Sequence, residues 1–259
     1  QKKECLATLG PKKIGCDIDD FVIDTPVYNP AYQAGWKPGG VYGWVPSDHI
    51  RTADLVINAT EWLAEQHRKL NKNCIVIPNS IDEEWWTVKK KEKKSKTIRI
   101  GWVGGGNHEE DFRVLPKVIE TILNRYKNVE FYFVHGAPGY IRSLGKRVRS
   151  DDKWSVIEEY PQFLENYGFD IGIAPLDYNR FNEAKSNIKF LEYSMIRVPG
   201  VYSSNEPYKC VRDGIDGFRV TKIADWVDRL SLLIESEELR VKMGLEARKR
   251  VLKDFNIKD

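Results

Sequence analysis

Lys185, Lys189 and Glu192 recur at i, i+4 and i+7 within Asn182-Glu183-Ala184-Lys185-Ser186-Asn187-Ile188-Lys189-Phe190-Leu191-Glu192-Tyr193. On a helix that spacing sets two cations near the start and a carboxylate about one turn further in. A helix N-terminus already favours anions through its free N–H groups and its dipole. A diphosphate joined to a ribose matches that order, with phosphates at the cations and sugar hydroxyls at the carboxylate. The same residues also fit a surface helix carrying a Lys189–Glu192 ion pair, worth only about 0.3–0.5 kcal/mol.

Three further signatures hold chemically useful residue types. Gly101-Trp102-Val103-Gly104-Gly105-Gly106-Asn107-His108 closes a β-rich run and precedes a helical pattern. Glycines let a backbone come close to a ligand, and a following helix start favours phosphate. No Gly-Lys-Ser/Thr follows, so this is no Walker loop, and the spacing departs from the dinucleotide fingerprint; a structural turn is the plain alternative. Asp17-Ile18-Asp19-Asp20 ends another strand. Such acids serve as Mg²⁺ or Mn²⁺ ligands, as an acid/base pair, or as a hydrogen-bonded loop. Three carboxylates in four residues repel one another unless something positive lies nearby. Pro78-Asn79-Ser80-Ile81-Asp82 reads as a turn, and the four histidines lack zinc spacing.

The elements that must carry these residues alternate. Strands are expected over 97–103, 129–134, 154–157, 169–174, 201–203 and 217–220. Helices are expected over 109–126, 141–149, 162–167, from 182 to about 198, and over 223–236 and 238–254, with Pro116 as a kink in the first of them. Within the helix after 182, Ile188, Leu191 and Met195 share one buried face. Strands at 13–18, 55–59 and 74–78, and a helix at 61–70 capped by Thr60, form a smaller unit ahead of them. The stretch 27–46, rich in Gly, Pro and aromatics, reads as a long loop. The alternation argues parallel sheets covered on both faces, with sites at the carboxyl ends of the strands. The expected division is 1–88 for the N-terminal unit, a Lys-rich linker at 89–96, and 97–259 for the C-terminal unit.

Composition narrows the class. With 259 residues, 41% hydrophobic and 31% charged, the chain is an ordinary globular one with room for two domains. No apolar run approaches the length of a membrane span, and the start lacks a signal-peptide core, so a cytoplasmic location is expected. The first residue is Gln1 rather than Met, which fits a fragment or a processed form. Four scattered cysteines are expected to be reduced thiols. A net charge of +3 makes no global case for nucleic acid, and the Lys-rich run reads as a solvated linker.

Taken in this order, the pieces resemble the retaining glycosyltransferases of family 4, which have the two-domain GT-B fold. "ADLVINATEWLAEQHRK…CIVIPNSID" resembles the last N-domain unit and the entry to the interdomain linker. "IRIGWVGGGNHEEDF" resembles the first strand and Gly-rich loop of the nucleotide-binding domain, and "DGIDGFRV" a later strand. "FDIGIAPLDYNRFNEAKSNIKFLEYSMIRVPGVYSS" resembles the donor site, and "DIDD…NPAY" is similar to a branch found in phage and bacterial glycan loci. The fold so implied is α/β, with two Rossmann-type parallel-sheet domains of which the N-terminal one is shortened.

The resemblance implies that Glu192 binds the nucleotide ribose. It places Lys185, Ser186 and Asn187 on the loop and helix start that meet the donor, with Lys189 one turn inside. Gly104, Gly105 and Gly106, followed by Asn107, approach the diphosphate and sugar. Many members carry an acid eight residues before the ribose-binding one; here that position is Ala184, and Glu183 is one place off. The donor is expected to be a nucleotide-diphosphate sugar and the acceptor a glycan, protein or lipid-linked hydroxyl, with peripheral membrane association possible and nucleic acid excluded. Lys185 and Lys189 are expected to stabilise the leaving phosphate, so no metal or other cofactor is expected at the donor site. Asp19 and Asp20, with Asp17, face the acceptor in this scheme, and Trp36, Tyr42 or Trp44 stack on it. Two alternatives remain open: a metal-dependent GT-A enzyme using Asp17 and Asp19, and a non-catalytic nucleotide- or carbohydrate-binding protein.

Overall fold

The computed structural model describes residues 13–37, 45–89, 96–105 and 108–257. Their contacts fall into two compact units. One comprises the described residues up to Asn79 together with Tyr178–Ser186; the other comprises Ser80–Asp177 and Asn187 onward.

The first unit is built on three parallel strands, β1 (Gly15–Ile18), β2 (Leu55–Asn58) and β3 (Cys74–Val76), in that spatial order. Its helices are α1 (Pro30–Gln33), α2 (Val45–Thr52) and α3 (Glu61–His67). The stretch expected to be a loop therefore holds α1 and the start of α2. Asn29 caps α1 through its side chain, and a proline stands in the first turn, where its missing N–H costs nothing. Thr60 caps α3 as expected, accepting from the Leu63 N–H at 3.2 Å. Ile50, Ala53 and Val56 form one small core. Phe21, Leu63, Phe181 and Ala184 form another.

The second unit carries six parallel strands: β4 (Ile98–Val103), β5 (Val129–Val134), β6 (Val148–Asp151), β7 (Ile171–Ala174), β8 (Gly200–Ser203) and β9 (Phe218–Val220). Their spatial order is β6-β5-β4-β7-β8-β9. Counted within the unit this is 3-2-1-4-5-6, the doubly wound order, whose crevice opens at the carboxyl ends of β4 and β7, where the order reverses. The helices are α4 (Leu115–Arg125), α5 (Gly139–Arg142) and α6 (Tyr160–Asn166); then α7 (Arg180–Glu183), which belongs to the first unit; then α8 (Ile188–Met195), α9 (Ile223–Glu235) and α10 (Glu237–Asp254). Apolar layers cover both faces of the sheet. One gathers Ile100, Trp102, Phe131 and Phe133 with α4 and α9, the other Phe190, Leu191, Tyr193 and Tyr202 with α10 residues Ala247 and Val251. Side chains alternate across the sheet, so Gly101 sits on the second face, where a Cβ would lie 2.2 Å from the Phe169 ring.

Several expectations need correction. The basic helix expected over 141–149 is only the single turn α5, and Val148–Asp151 is the third strand of the sheet. The stretch 154–157 forms no strand, and Trp154, Val156 and Ile157 are exposed. Pro116 kinks nothing, because α4 begins at Leu115 after a 3₁₀ turn over Asp111–Val114 and the proline falls in its first turn. The single helix expected from 182 is two helices, α7 and α8.

Candidate functional site

The split between α7 and α8 changes the geometry read from spacing. α8 begins at Ile188, so Lys185 precedes it and does not share its face with Lys189 and Glu192. Lys185 and Ser186 pack in the first unit, whereas Asn187, Lys189 and Glu192 belong to the second.

In the first unit the Lys185 ammonium stands 3.5 Å from Asp20 and over the Phe181 ring, 4.7 Å from its centroid. The positive group that three close carboxylates demand is therefore Lys185, at least for Asp20. Asp17 and Asp19 are exposed on the same strand end. Ser186 accepts a 2.6 Å hydrogen bond from the Asn79 side-chain amide. The sequence marks Asn79 only as part of a turn. Ala184 is fully buried beside Phe21, Leu63 and Phe181, and its carbonyl accepts from the Thr60 hydroxyl at 3.0 Å. A carboxylate there would be buried among rings and a leucine.

In the second unit Glu192 lies in the second turn of α8 and is only 7% exposed. Each of its carboxylate oxygens has its own donor. The Tyr160 hydroxyl donates to Oε1 at 2.8 Å, and the Lys189 ammonium reaches Oε2 at 3.3 Å. The ion pair weighed as a surface feature thus joins a buried Glu192 to a partly buried Lys189. Burial first, and the adjoining Glu192 carboxylate second, push the Tyr160 phenol well above its ordinary pKa, so it stays a donor. α8 is buried nearly all round, through Phe190, Leu191, Tyr193, Ser194 and Met195, with Ile188 only partly covered. The Tyr193 hydroxyl donates to the Ile173 carbonyl at 3.0 Å and ties α8 to β7. Gly172 opposes that ring closely: a Cβ there would lie 2.5 Å from it.

The Gly-rich loop follows β4. Gly104 is sterically required, since a Cβ would stand 2.5 Å from the Trp102 ring, whereas Gly105 faces open space. Gly106 and Asn107 lie outside the described residues. A cavity of about 240 Å³ opens beside Gly105, lined by Trp102, His108, His135, Gly136 and Pro138. His108 Nδ1 lies 2.7 Å from Asp111 Oδ2, and the other Asp111 oxygen accepts from the Asp177 N–H at 2.7 Å. The same buried aspartate thus pins the start of the Gly-rich loop's helix and the loop leaving β7. A larger cavity, about 620 Å³, lies against Ile98, Asp170 and Pro199 at the amino ends of β4, β7 and β8. That end of a doubly wound sheet is the one away from the crevice.

Among the described residues, no group of three or more His, Cys, Asp or Glu is placed to hold a metal ion. None of their helices is long and apolar enough to cross a membrane. Cys16, Cys74 and Cys210 are free thiols.

No protein-family model and no curated protein sequence matches the chain. Solved structures do match. TarM from S. aureus, solved with fondaparinux, α-GlcNAc-glycerol and UDP, aligns at 15% identity and TM-score 0.64 over 81% of this chain and 43% of TarM. Sucrose-phosphate synthase from Thermosynechococcus elongatus aligns at 16% identity and TM-score 0.65, over 83% of this chain and 57% of the synthase. Anabaena HepE, solved with UDP and glucose, aligns at 12% identity and TM-score 0.66, over 96% of this chain and 69% of HepE. These neighbours are GT-B glycosyltransferases, and this chain has their fold. The expected α/β class, with two parallel sheets, is therefore the observed one. The chain spans less than three fifths of the length of TarM and of the synthase.

Proposed function

We propose that the chain is a glycosyltransferase that moves a sugar from a nucleotide-diphosphate donor to an acceptor hydroxyl, with retention of anomeric configuration. The observation that carries the reading is Glu192: a buried carboxylate, clamped by Tyr160 and Lys189, on the helix that follows a switch strand of a doubly wound sheet. Such a group suits the hydroxyls of a nucleotide ribose. The UDP complexes of TarM and HepE support a nucleotide donor. The family 4 assignment rests on the motif resemblance alone.

In this reading the acceptor oxygen bonds to the anomeric carbon as the bond from that carbon to the diphosphate breaks. Charge develops on the leaving phosphate. Lys189 and the first N–H groups of α8 stabilise it, an electrostatic contribution that requires no metal. Gly104 and Gly105 let the backbone approach the diphosphate, and Asn187 adds a donor contact. The acceptor's proton passes to the leaving phosphate. Asp19 and Asp20 orient the acceptor, whether glycan, protein or lipid-linked at a membrane surface, and the expected setting is the cytoplasm. The metal-dependent alternative built on Asp17 and Asp19 belongs to a different fold class, and Asp20 already has Lys185 as its counter-charge.

The test is transfer and hydrolysis with a panel of UDP-, GDP- and ADP-sugars. One donor is expected to be used. Glu192→Ala is expected to weaken donor binding about tenfold or more, and Lys189→Ala to lower turnover. Full activity in both variants would remove the site assignment. Binding of a nucleoside diphosphate, seen as a raised melting temperature, with no turnover on any donor would select the non-catalytic binding protein instead.

A further inference from the structure

We propose that Tyr160 is a positioning residue that holds Glu192 so that two of its acceptor sites stay reserved for a vicinal diol. The inference rests on the donor reading above and extends it to a residue that no motif marks. An ionised carboxylate has about four lone-pair sites. In this protein one site on Oε1 takes the Tyr160 hydroxyl at 2.8 Å, and one on Oε2 takes Lys189 at 3.3 Å. One site per oxygen remains, which is what two adjacent hydroxyls donating side by side would occupy.

Tyr160 is well built for this task. It opens α6 ahead of Pro161. Its ring meets the buried Trp86 edge-on at 6.2 Å and Phe163 at 6.3 Å, so the hydroxyl is not free to swing away. Because the phenol stays protonated, it only ever donates to the carboxylate. Without that hydroxyl nothing opposes Lys189 on the other oxygen. The carboxylate is then drawn to the ammonium, and the ammonium takes acceptor sites that the diol needs. The loss should therefore be specific to ligands with both hydroxyls.

The experiment measures calorimetric affinity of wild type and Tyr160→Phe for UDP, GDP and ADP, each paired with its 2′-deoxy counterpart. Phenylalanine keeps the ring contacts, and an unchanged melting temperature verifies the fold. Wild type is expected to favour one ribonucleotide over its deoxy partner by about tenfold. Tyr160→Phe is expected to weaken the ribonucleotide by about that factor and leave the deoxy partner within about twofold, so the preference collapses. Equal weakening of both ligands, or no change in either, overturns the role of Tyr160 and leaves the donor site standing. If none of the six ligands binds wild type, this inference and the proposed function fail together.

Discussion

Replacing Lys189 by Met strips the cation from a carboxylate that water hardly reaches. The two groups are 3.3 Å apart, with side chains 15% and 9% exposed. At an effective dielectric near 20, two unit charges at that distance attract by about 5 kcal/mol. Tyr160 keeps one oxygen satisfied, so the expected cost of Lys189→Met is about 3 kcal/mol, the low end for breaking a buried pair. Arg51–Asp48 supplies a control at nearly the same distance, 3.4 Å, but 54% and 48% exposed. There Arg51→Met should cost only about 0.3–0.5 kcal/mol. Pairing Lys189→Met with Glu192→Gln should restore most of the stability, because a neutral amide oxygen still accepts from Tyr160. The coupling energy of that cycle should exceed about 1.5 kcal/mol. The chain holds two compact units, so one global transition does not report on α8 alone. Native-state hydrogen exchange of the α8 amides reads the local free energy directly. If Lys189→Met costs no more than Arg51→Met, the pair behaves as a surface pair, and the burial argument for Glu192 is refuted.

The two loop glycines should separate packing from ligand approach. Gly104→Ala drives a Cβ into the Trp102 ring and should lower stability by about 1–3 kcal/mol, whereas Gly105→Ala meets nothing and should leave the melting temperature unchanged. Equal destabilisation by both in urea titrations would contradict the loop geometry. His67 should make stability pH-dependent: it is fully buried, its Nδ1 lies 2.6 Å from Asn58 Oδ1, and burial lowers its pKa from 6.5 to about 4. The unfolded chain takes up this proton below about pH 6.5 and the fold only near 4, so the contribution is whole above 6.5 and is lost as pH falls towards 4. Melting temperatures between pH 4 and 7 should fall more steeply for wild type than for His67→Gln, and parallel curves would exclude His67 as the cause.

Which parts of the fold were legible follows from where the residues sit. β4, β5 and β7 are central strands covered on both faces, so they read as mostly apolar runs, interrupted only by Arg99 in β4 and Glu130 in β5. β6 is an edge strand with one neighbour, and its Val148-Arg149-Ser150-Asp151 sequence looks like loop or helix. The apolar Trp154, Val156 and Ile157 beside it imitated the missing strand, although they are exposed. The site shows the same division. Glu192 and Lys189 were legible because helical spacing is local, and three residues of separation brings them together. Lys185 was misplaced by the same rule, since i+4 spacing presumes one continuous helix. No Gly or Pro between 184 and 187 betrays the break; only Ser186 and Asn187, residue types suited to helix starts, hint at it.

The residues that spacing missed are those whose partners lie far along the chain. Tyr160 is 32 positions from Glu192, and Asn79 is 107 from Ser186. Tyr160 and Glu192 meet because only β7 and the short α7 separate α6 from α8 in the chain, and right-handed crossovers in a parallel sheet put both helices on the same face. A motif therefore reveals the acid, while topology supplies its clamp. The functional consequence is that substituting the motif residues alone tests only half of the device. A carboxylate left in place but released from Tyr160 retains the motif and loses the orientation on which diol selection depends.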